Sequence, residues 1–416
     1  MPKTYPHTIQ IHEHQTIRVG DQLNNILFDQ DTYQTLAKYQ EKQKTKYFSL
    51  VYKGIKFSHY VGIIQVGKIT LEILPKADKA TVNNPAKWQA VLLEMLRYCR
   101  LIKIESLGVG KVRLQSNTIL DIYFEQFLIA VQQLLKKGLP KQYLTKESNQ
   151  KALKGRLVIP KQLRKNGLHP ERFYVRHTAF EYDHLFNRVL HEALTVLQQV
   201  HLNPLLKLKL QQVLARFPKL STYTVSAKDF DLLFQTQKYR PHHDLLEISR
   251  LILMNFSPDI RGGQHHLFAL LFDMNKLFEE YVFWKLKALE NEQIKVQRQA
   301  SKPFWQRRTI RPDLVVQIDE RRYVLDTKWK VLKSNSPSME DLRQLYIYGQ
   351  YFEAERGVLL YPKVNAIENS PSIPFQPTQK EPSSIHGQVL FLNILGEDNS
   401  LNKTIGKELL AILMNT

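Results

Sequence analysis

The chain has 416 residues and a formal net charge of +20, with 59 Lys and Arg against 39 Asp and Glu. This length allows two or three domains, and a hydrophobic content of 43% is enough for packed cores. Such a positive charge attracts polyanions, either nucleic acid or an anionic membrane surface. No apolar run approaches the roughly 18 residues of a membrane span, and no secretory signal opens the chain. We therefore expect a cytoplasmic protein that binds nucleic acid and no membrane.

The N-terminal residues 1–85 are predicted to form a β-rich module, because polar and bulky apolar residues alternate in their second half. Within it, Gly62–Ile69 reads GIIQVGKI, close to a phosphate-binding P-loop. The Ser or Thr that should follow Lys68 is Ile69, and strand-like residues follow instead of a helix. We therefore predict a hairpin that turns at Gly67, and no nucleotide site in this chain.

Residues 86–240 are predicted to be mainly helical, because apolar residues recur there at helical spacing. The predicted helices are Trp88–Arg100, Leu120–Lys137, Asp183–Val200 and Asn203–Phe217. The lone Cys99 excludes an internal disulfide and is expected in the core. A basic stretch follows the second helix, with Lys151, Lys154, Arg156, Lys161, Arg164 and Lys165. It is either a solvated face or a phosphate-contacting face, and the net charge of the chain favours the second.

The most informative stretch is Arg311–Lys330, which predicts two strands joined by a turn. Four polar residues, Asp319–Arg322, suit a hairpin loop. With that loop, Asp313 pairs opposite Lys328, and the alternation of side chains puts Asp326 on the same face. Two carboxylates and one ammonium then converge on one side of an apolar hairpin, where charges without partners are costly.

A divalent metal is a good reason to collect these charges. Two carboxylates hold Mg²⁺ together with waters and substrate phosphate oxygens. Asp313 and Asp326 are therefore candidate metal ligands, and Lys328 is a candidate for activating water or stabilising developing charge. The alternative is a surface hairpin with one Asp–Lys pair, because all three residue types are common. Two features favour the site: Pro312 precedes Asp313, and a helix with the sequence QLYIY follows the hairpin.

With these residues the chain resembles the PD-(D/E)xK nucleases, with Pro312-Asp313 as the PD and Asp326-Thr327-Lys328 as the DxK. Gln344 and Tyr348 resemble the QxxxY element of one branch of that superfamily. More narrowly, the chain resembles McrC, the nuclease subunit of 5-methylcytosine-dependent McrBC restriction systems. The other segments that carry this resemblance are Val61–Lys76, Gly138–Tyr143, Leu153–Leu163, Phe180–Leu194 and Met274–Val282.

The resemblance implies a multidomain α+β protein: the β-rich module, the helical middle region and a PD-(D/E)xK nuclease domain in residues 241–416. That domain is an α/β core with a mixed sheet. The resemblance also puts an acidic residue of the preceding helix into the metal shell, which is Glu279 or, failing that, Glu280. The implied catalytic residues are Asp313, Asp326, Lys328, Glu279, Gln344 and Tyr348, of which Asp313, Asp326 and Glu279 hold the metal.

The implied activity is that of a Mg²⁺-dependent DNA endonuclease in restriction and phage defence, with Mn²⁺ as a substitute. The implied partners are double-stranded DNA, an McrB-like AAA+ GTPase that the N-terminal module contacts and stimulates, and a second copy bound through the nuclease domain. Two other functions remain open. A stand-alone repair or junction nuclease would use the same motif without a motor, and a non-catalytic DNA-binding adaptor would need the charge but not the triad.

Overall fold

The computed structural model describes residues 8–75, 85–99, 101, 119–200, 202–257, 266–330, 332, 336–363, 368–376, 384–396 and 400–415. The chain divides into two units. The middle unit consists mainly of residues 113–270, and the terminal unit consists of residues 4–64, 69–112 and 271–416. Helices and several separate sheets occur together, which confirms an α+β, multidomain protein. In the described part of the chain, no helix has the length and apolar character that crossing a membrane requires.

The N-terminal elements are mostly short strands, in keeping with the alternation in the sequence. They are β1 (Thr8–His12), β2 (Thr16–Arg18), β3 (Gln22–Leu23), β4 (Ile26–Leu27), β5 (Phe48–Val51), β6 (Gly54–Phe57), β7 (Tyr60–Val66) and β8 (Ile69–Leu74). Between β7 and β8 the chain turns at Gly67, whose φ of 56° suits glycine. The predicted hairpin is therefore confirmed, and a strand stands where a P-loop would need a helix.

One helix of this region, α1 (Gln30–Gln43), was not predicted. Its sequence is polar, with only a narrow buried stripe that includes Leu36 and Tyr39. The helix begins at a side-chain cap: the Asp29 carboxylate accepts a hydrogen bond of 2.8 Å from the backbone N–H of Thr32. Capping of this kind leaves little trace in the hydrophobic periodicity, which explains the omission.

The next elements include all four helices predicted for residues 86–240, with bounds that differ by up to three residues. They are α2 (Pro85–Tyr98), α3 (Ile119–Lys137), β9 (Gln142–Gln150), β10 (Arg156–Leu157), α4 (Ile159–Asn166), β11 (Phe173–Glu181), α5 (Leu185–Gln199), α6 (Pro204–Arg216), α7 (Ala227–Gln235), a 3-10 helix (Gln237–His242), α8 (His243–Met254) and β12 (Phe256–Ser257). A three-stranded antiparallel sheet, in the order β10-β11-β9, was not predicted. The long strand β9 is mostly polar, so its sequence has no apolar face to detect.

The C-terminal elements are β13 (Leu267–Asp273), α9 (Met274–Lys287), β14 (Ile294–Arg298), β15 (Lys302–Trp305), β16 (Arg308–Ile310), β17 (Leu314–Ile318), β18 (Arg321–Thr327), α10 (Met339–Phe352), β19 (Arg356–Pro362), β20 (Ile373–Pro374), β21 (His386–Leu392) and α11 (Ile405–Met414). Six of these strands form a mixed sheet in the order β14-β17-β18-β19-β21-β20. The pairs from β14 to β18 are antiparallel, and β18, β19 and β21 run parallel.

The hairpin of β17 and β18 is present, but its turn is tighter than predicted. Ile318 pairs with Arg321, so the turn contains only Asp319 and Glu320. Asp319 adopts a φ of 53°, a left-handed conformation that Asp tolerates. The predicted four-residue loop is therefore wrong. Arg321 belongs to the strand, where its guanidinium lies 3.7 Å from the carboxylate of Glu355.

The tighter turn moves the strand register by two residues. Continuing the observed pairing by one step brings Asp313 opposite Asp326, and not opposite Lys328 as predicted. A shift by one residue would have sent the side chains to the other face, whereas a shift by two preserves the face. The predicted convergence of these three charges therefore survives the wrong register.

Helix α10 covers the face of the sheet that carries Asp326. One buried cluster, the Val315 cluster, consists of Val315, Val324, Tyr348, Phe352 and Ala354. A second cluster packs Leu345 of α10 against Leu359 and Tyr361 of β19. The approach is close: a Cβ atom added at Gly357 would lie 2.6 Å from Leu345 Cγ. The position of α10, and of the residues it presents, is thus fixed by packing.

Candidate active site

Asp326 is a buried carboxylate near the end of β18, with 3% of its surface exposed. Its Oδ2 lies 2.8 Å from Lys328 Nζ, although no hydrogen bond of good geometry reaches this oxygen. Burial and the charge of Asp313 raise the pKa of Asp326, and the nearby Lys328 ammonium only partly offsets them. Burial lowers the pKa of Lys328, but the Asp326 carboxylate outweighs that effect and the net shift is upward.

Asp313 is fixed beside Asp326 by the middle residue of the DxK motif. Its Oδ2 accepts hydrogen bonds from the backbone N–H of Thr327 at 2.7 Å and from the Thr327 hydroxyl at 2.8 Å. The motif treats residue 327 as variable, so this role could not be predicted from it. With both donors on one oxygen, Thr327 sets the orientation of the Asp313 carboxylate.

Glu279 of α9 is buried close to the same charges, with 9% of its surface exposed. Burial and then the Asp313 carboxylate raise the pKa of Glu279 to about 7. Gln299 donates a hydrogen bond of 2.9 Å to its Oε1. Glu280, the predicted alternative, forms an ion pair with Arg298 instead. The charge of Asp313 thus acts on Glu279, which supports the first of the two predicted residues.

The QxxxY pair lies on α10. Gln344 donates a hydrogen bond of 2.5 Å to the hydroxyl of Tyr348. Tyr348 belongs to the Val315 cluster, and burial followed by the charges of Asp326 and Asp313 raises its pKa. The structure therefore brings together all six residues predicted from the sequence.

One further acidic residue, Asp341, was missed. It lies in the first turn of α10, where an acidic residue is ordinarily explained by the helix dipole. Its Oδ1 is 3.7 Å from Lys328 Nζ and its Oδ2 is 2.7 Å from Lys330 Nζ. Lys328 thus lies between two carboxylates, the nearer of which is Asp326.

The donor set suits a hard divalent cation. In the described part of the chain, no three His, Cys, Asp or Glu side chains are grouped closely enough to hold a metal ion together. Magnesium does not need three, because it keeps several waters and is commonly held by one or two carboxylates and substrate phosphates. Asp326 Oδ2, buried and without a well-aligned hydrogen bond, is an oxygen of the required kind. Asp313 and Asp326 therefore fit such an ion.

Comparison with known proteins places the chain in a family of restriction proteins. Residues 55–362 match the family model for "McrBC 5-methylcytosine restriction system component". The match covers well over half of the chain, so this protein belongs to that family, and the resemblance to McrC is confirmed. A comparison with curated proteins found no match.

Among solved structures, the chain is similar to one from a half-complex of a tetradecameric assembly of Thermococcus gammatolerans McrB AAA+ hexamers with bound McrC. The TM-score is 0.71 at 20% sequence identity, covering 98% of this chain and 99% of that chain. A chain from the cryo-EM structure of the Thermococcus gammatolerans McrBC complex matches with a TM-score of 0.49 at 20% identity, covering 67% and 87% respectively. At this identity the first likeness establishes a shared fold.

Proposed function

We propose that this chain is the Mg²⁺-dependent DNA endonuclease subunit of a modified-cytosine-dependent restriction system, with a PD-(D/E)xK core built on β17, β18, α10 and β19. The observation that carries this proposal is the buried Asp326 carboxylate held against Lys328, with Asp313 fixed on the adjacent strand. Burying charged groups costs several kcal/mol for each ion even when they are paired. A catalytic role accounts for that cost, whereas a surface hairpin would not incur it.

Each residue of the site has a defined contribution. A bound Mg²⁺ would supply a Lewis acid and neutralise charge on the scissile phosphate. Asp313 and Asp326 would hold the ion, and Thr327 fixes the orientation of the Asp313 carboxylate. Lys328 would orient the attacking water and stabilise charge that develops on the phosphate. Glu279, with a pKa raised to about 7, would hold or release a proton near neutral pH beside these carboxylates.

The resemblance to PD-(D/E)xK nucleases suggests a supporting role for the QxxxY pair. Tyr348 is held by Gln344 and packed in the Val315 cluster, under Asp326 and Asp313. Its hydroxyl therefore lies in the field of both carboxylates. We propose that Gln344 and Tyr348 support the two carboxylates from α10 and keep their surroundings in place.

We further propose that an McrB-like AAA+ GTPase works with this chain. The family supports a role beside McrB, and the similar solved structure contains McrB AAA+ hexamers with bound McrC. The turn at Gly67 and the strand that follows it offer no P-loop, so we expect GTP hydrolysis to be carried out by the partner. The N-terminal module is the proposed contact.

A test of that contact needs point variants and not removal of residues 1–85. Glu13 at the end of β1 accepts a hydrogen bond of 2.7 Å from the indole N–H of Trp329. Trp329 directly follows Lys328, so the deletion would also disturb the proposed site. Substitutions of exposed residues, such as Tyr52→Ala with 83% of the Tyr52 surface exposed, avoid this difficulty.

The experiment is cleavage of 5-methylcytosine duplex DNA by the full chain with Mg²⁺ and its AAA+ partner. Asp313→Asn should abolish cleavage, while Asp319→Asn removes one carboxylate from the exposed turn and should leave cleavage unchanged. Cleavage that requires the partner favours the restriction subunit, and cleavage without any partner would favour a stand-alone nuclease. If the full chain binds DNA but never cuts it with the partner present, the adaptor function is correct and this proposal fails.

A further inference from the structure

A short β-hairpin of unusual composition precedes Asp313. It is formed by β15 and β16, which pair antiparallel between Lys302 and Ile310, and we call it the 302–310 hairpin. Every residue from Pro303 to Thr309 is exposed. These include two large aromatic side chains, Phe304 at 48% and Trp305 at 59% exposure. Phe304 packs edge-on against Tyr351, with the ring centroids 5.5 Å apart, whereas Trp305 projects from the tip of the hairpin.

The stretch of sequence that contains the hairpin is strongly basic. Residues 293–312 contain no acidic side chain and six cations, namely Lys295, Arg298, Lys302, Arg307, Arg308 and Arg311. Arg298, outside the hairpin, pairs with Glu280. Across the residues that the structure describes, Arg307 and Arg308 at the turn have no carboxylate partner. Two guanidinium groups and an indole are thus presented together to solvent.

Both ends of the hairpin are fastened to the candidate active site. The backbone N–H of Gln299 donates to the carbonyl oxygen of Asp313 at 2.8 Å, which closes the base of the hairpin. The side chain of the same Gln299 donates to Glu279 at 2.9 Å. Ala300 and Ile310 pack against the Val315 cluster, and Lys302 Nζ donates to the carbonyl oxygen of Tyr351 at 2.6 Å. The base is therefore rigidly positioned, and only the outer part is free to meet a ligand.

We propose that the 302–310 hairpin is a DNA-contacting ribbon that enters a groove of the duplex and positions the scissile phosphate at Asp313 and Asp326. This inference rests on the proposed nuclease function. The chain runs for six residues from Arg307 to Asp313. At about 3.3 Å for each strand residue, that gives a reach of roughly 20 Å from the site. The major groove of B-DNA, about 12 Å wide, admits a two-stranded ribbon.

The chemistry of the exposed side chains matches a nucleic acid better than a protein surface. Arg307 and Arg308 can form bidentate hydrogen bonds with phosphate oxygens, which the planar guanidinium suits. Trp305 offers a flat ring to sugars or base edges between them. A protein partner would have to supply matching carboxylates to the same unpaired cations. Double-stranded DNA supplies one negative charge about every 1.7 Å along its axis.

The test measures equilibrium binding of the full chain to a duplex oligonucleotide by fluorescence anisotropy without divalent metal, so that no cleavage occurs. The variants are Arg307→Gln with Arg308→Gln together, and separately Trp305→Ala. The matched control is Lys42→Gln with Lys44→Gln, two exposed cations at the end of α1. Loss of two phosphate contacts should reduce the slope of log K against log salt by roughly 1.8, at about 0.9 for each contact. Trp305→Ala should weaken binding without changing the slope.

The outcomes separate this inference from the proposed function. Reduced slope in the Arg307 and Arg308 variant, with the control unchanged, supports the ribbon. If the control variant reduces the slope equally, the effect comes from the overall charge and not from the hairpin, and the proposal is overturned. If the double variant instead binds DNA as wild type does but loses binding to a second copy or to the AAA+ partner, the hairpin is a protein contact and the proposed DNA contact is wrong. If wild type binds DNA through the hairpin but does not cut with Mg²⁺ and partner, the nuclease function fails and the DNA contact stands.

Discussion

Glu147 on the β10-β11-β9 sheet and Asp326 on the six-stranded sheet each contact a lysine, but their pKa values shift in opposite directions. On β9, the partly exposed Glu147 contacts the more exposed Lys161 and Arg176, and the hydrogen bonds from these cations lower the pKa of Glu147. On β18, Asp326 contacts Lys328 inside the protein, and its pKa is nevertheless raised by burial and by Asp313. The same kind of pair thus favours the charged carboxylate near the surface and disfavours it in the interior.

This difference separates pairs that need no functional explanation from pairs that do. An exposed ion pair adds little to stability, and many contribute nothing measurable. A buried pair carries a desolvation cost that its attraction does not always repay. Under the proposed function the charges around Asp326 are kept for catalysis, so removing them should affect activity far more than folding.

The largest effect should come from Lys328→Met. Removing the ammonium takes away the group placed to stabilise charge on the phosphate, so the cleavage rate should fall by about 10³-fold. The fold should remain, because the Asp326 carboxyl can take up a proton once its partner is absent. Single-turnover cleavage and thermal unfolding of the same preparation check both parts. Lys146→Met, the matched change in the partly exposed pair with Glu181, should leave the rate unaltered.

The next effect is a pH dependence of stability from Glu279, measured without metal. Its pKa rises from the ordinary 4.5 to about 7 on folding, so the unfolded chain loses this proton first. This contribution to stability is present at low pH and is lost as pH rises between those values. The loss amounts to roughly 3 kcal/mol at 1.36 kcal/mol for each pKa unit. Glu279→Gln should flatten this part of the profile, seen in urea unfolding from pH 4.5 to 8.

The control for this profile is Glu280→Gln, which neutralises the neighbouring residue that is paired with Arg298. It should keep the pH dependence of the wild type. A Glu279→Gln profile that parallels that of the wild type would show that folding does not change the pKa of Glu279, and would remove the electrostatic link to Asp313.

A smaller effect on stability should come from Trp329→Phe. The change keeps an aromatic ring against Phe278 but deletes the indole N–H that donates to Glu13 at 2.7 Å. Both residues are buried, so the loss should cost about 1–3 kcal/mol in urea unfolding. Trp305→Phe, in the exposed 302–310 hairpin, should cost nothing. Equal stability of the two variants would mean that the Glu13 contact is not formed in solution.

The smallest effect should come from Glu147→Gln, which removes the charge from both contacts of this partly exposed side chain. We expect no measurable change in the unfolding temperature, because water replaces those partners. A destabilisation as large as that of Trp329→Phe would contradict the distinction between exposed and buried pairs.

Much of the site could be predicted because side chains along a strand alternate between its two faces. That alternation put Asp313, Asp326 and Lys328 on one face even with a wrong loop. The turn itself could not be predicted, since Arg321 looks like a loop residue until Glu355 is seen beside it. The choice between Glu279 and Glu280 depends on tertiary packing, because neighbouring residues on a helix point about 100° apart.

The roles of Thr327 and Asp341 left no pattern in the sequence. Each acts through a hydrogen bond or ion pair to a residue that is distant along the chain. In the fold, the four helices predicted between residues 86 and 240 follow hydrophobic periodicity and were found. The polar helix α1 and the polar strand β9 depend on capping and on backbone pairing, which composition does not reveal.

The most direct measurement is Mg²⁺-dependent cleavage of modified duplex DNA by Asp326→Asn and by wild type, each with the AAA+ partner. GTP turnover by the partner is followed in the same reaction, to show that the variant is folded and engaged. The account predicts that wild type cuts, and that Asp326→Asn stimulates GTP turnover as wild type does while cutting at least about 10²-fold more slowly. Cleavage by Asp326→Asn at the wild-type rate would contradict the assignment of the buried pair as the catalytic centre.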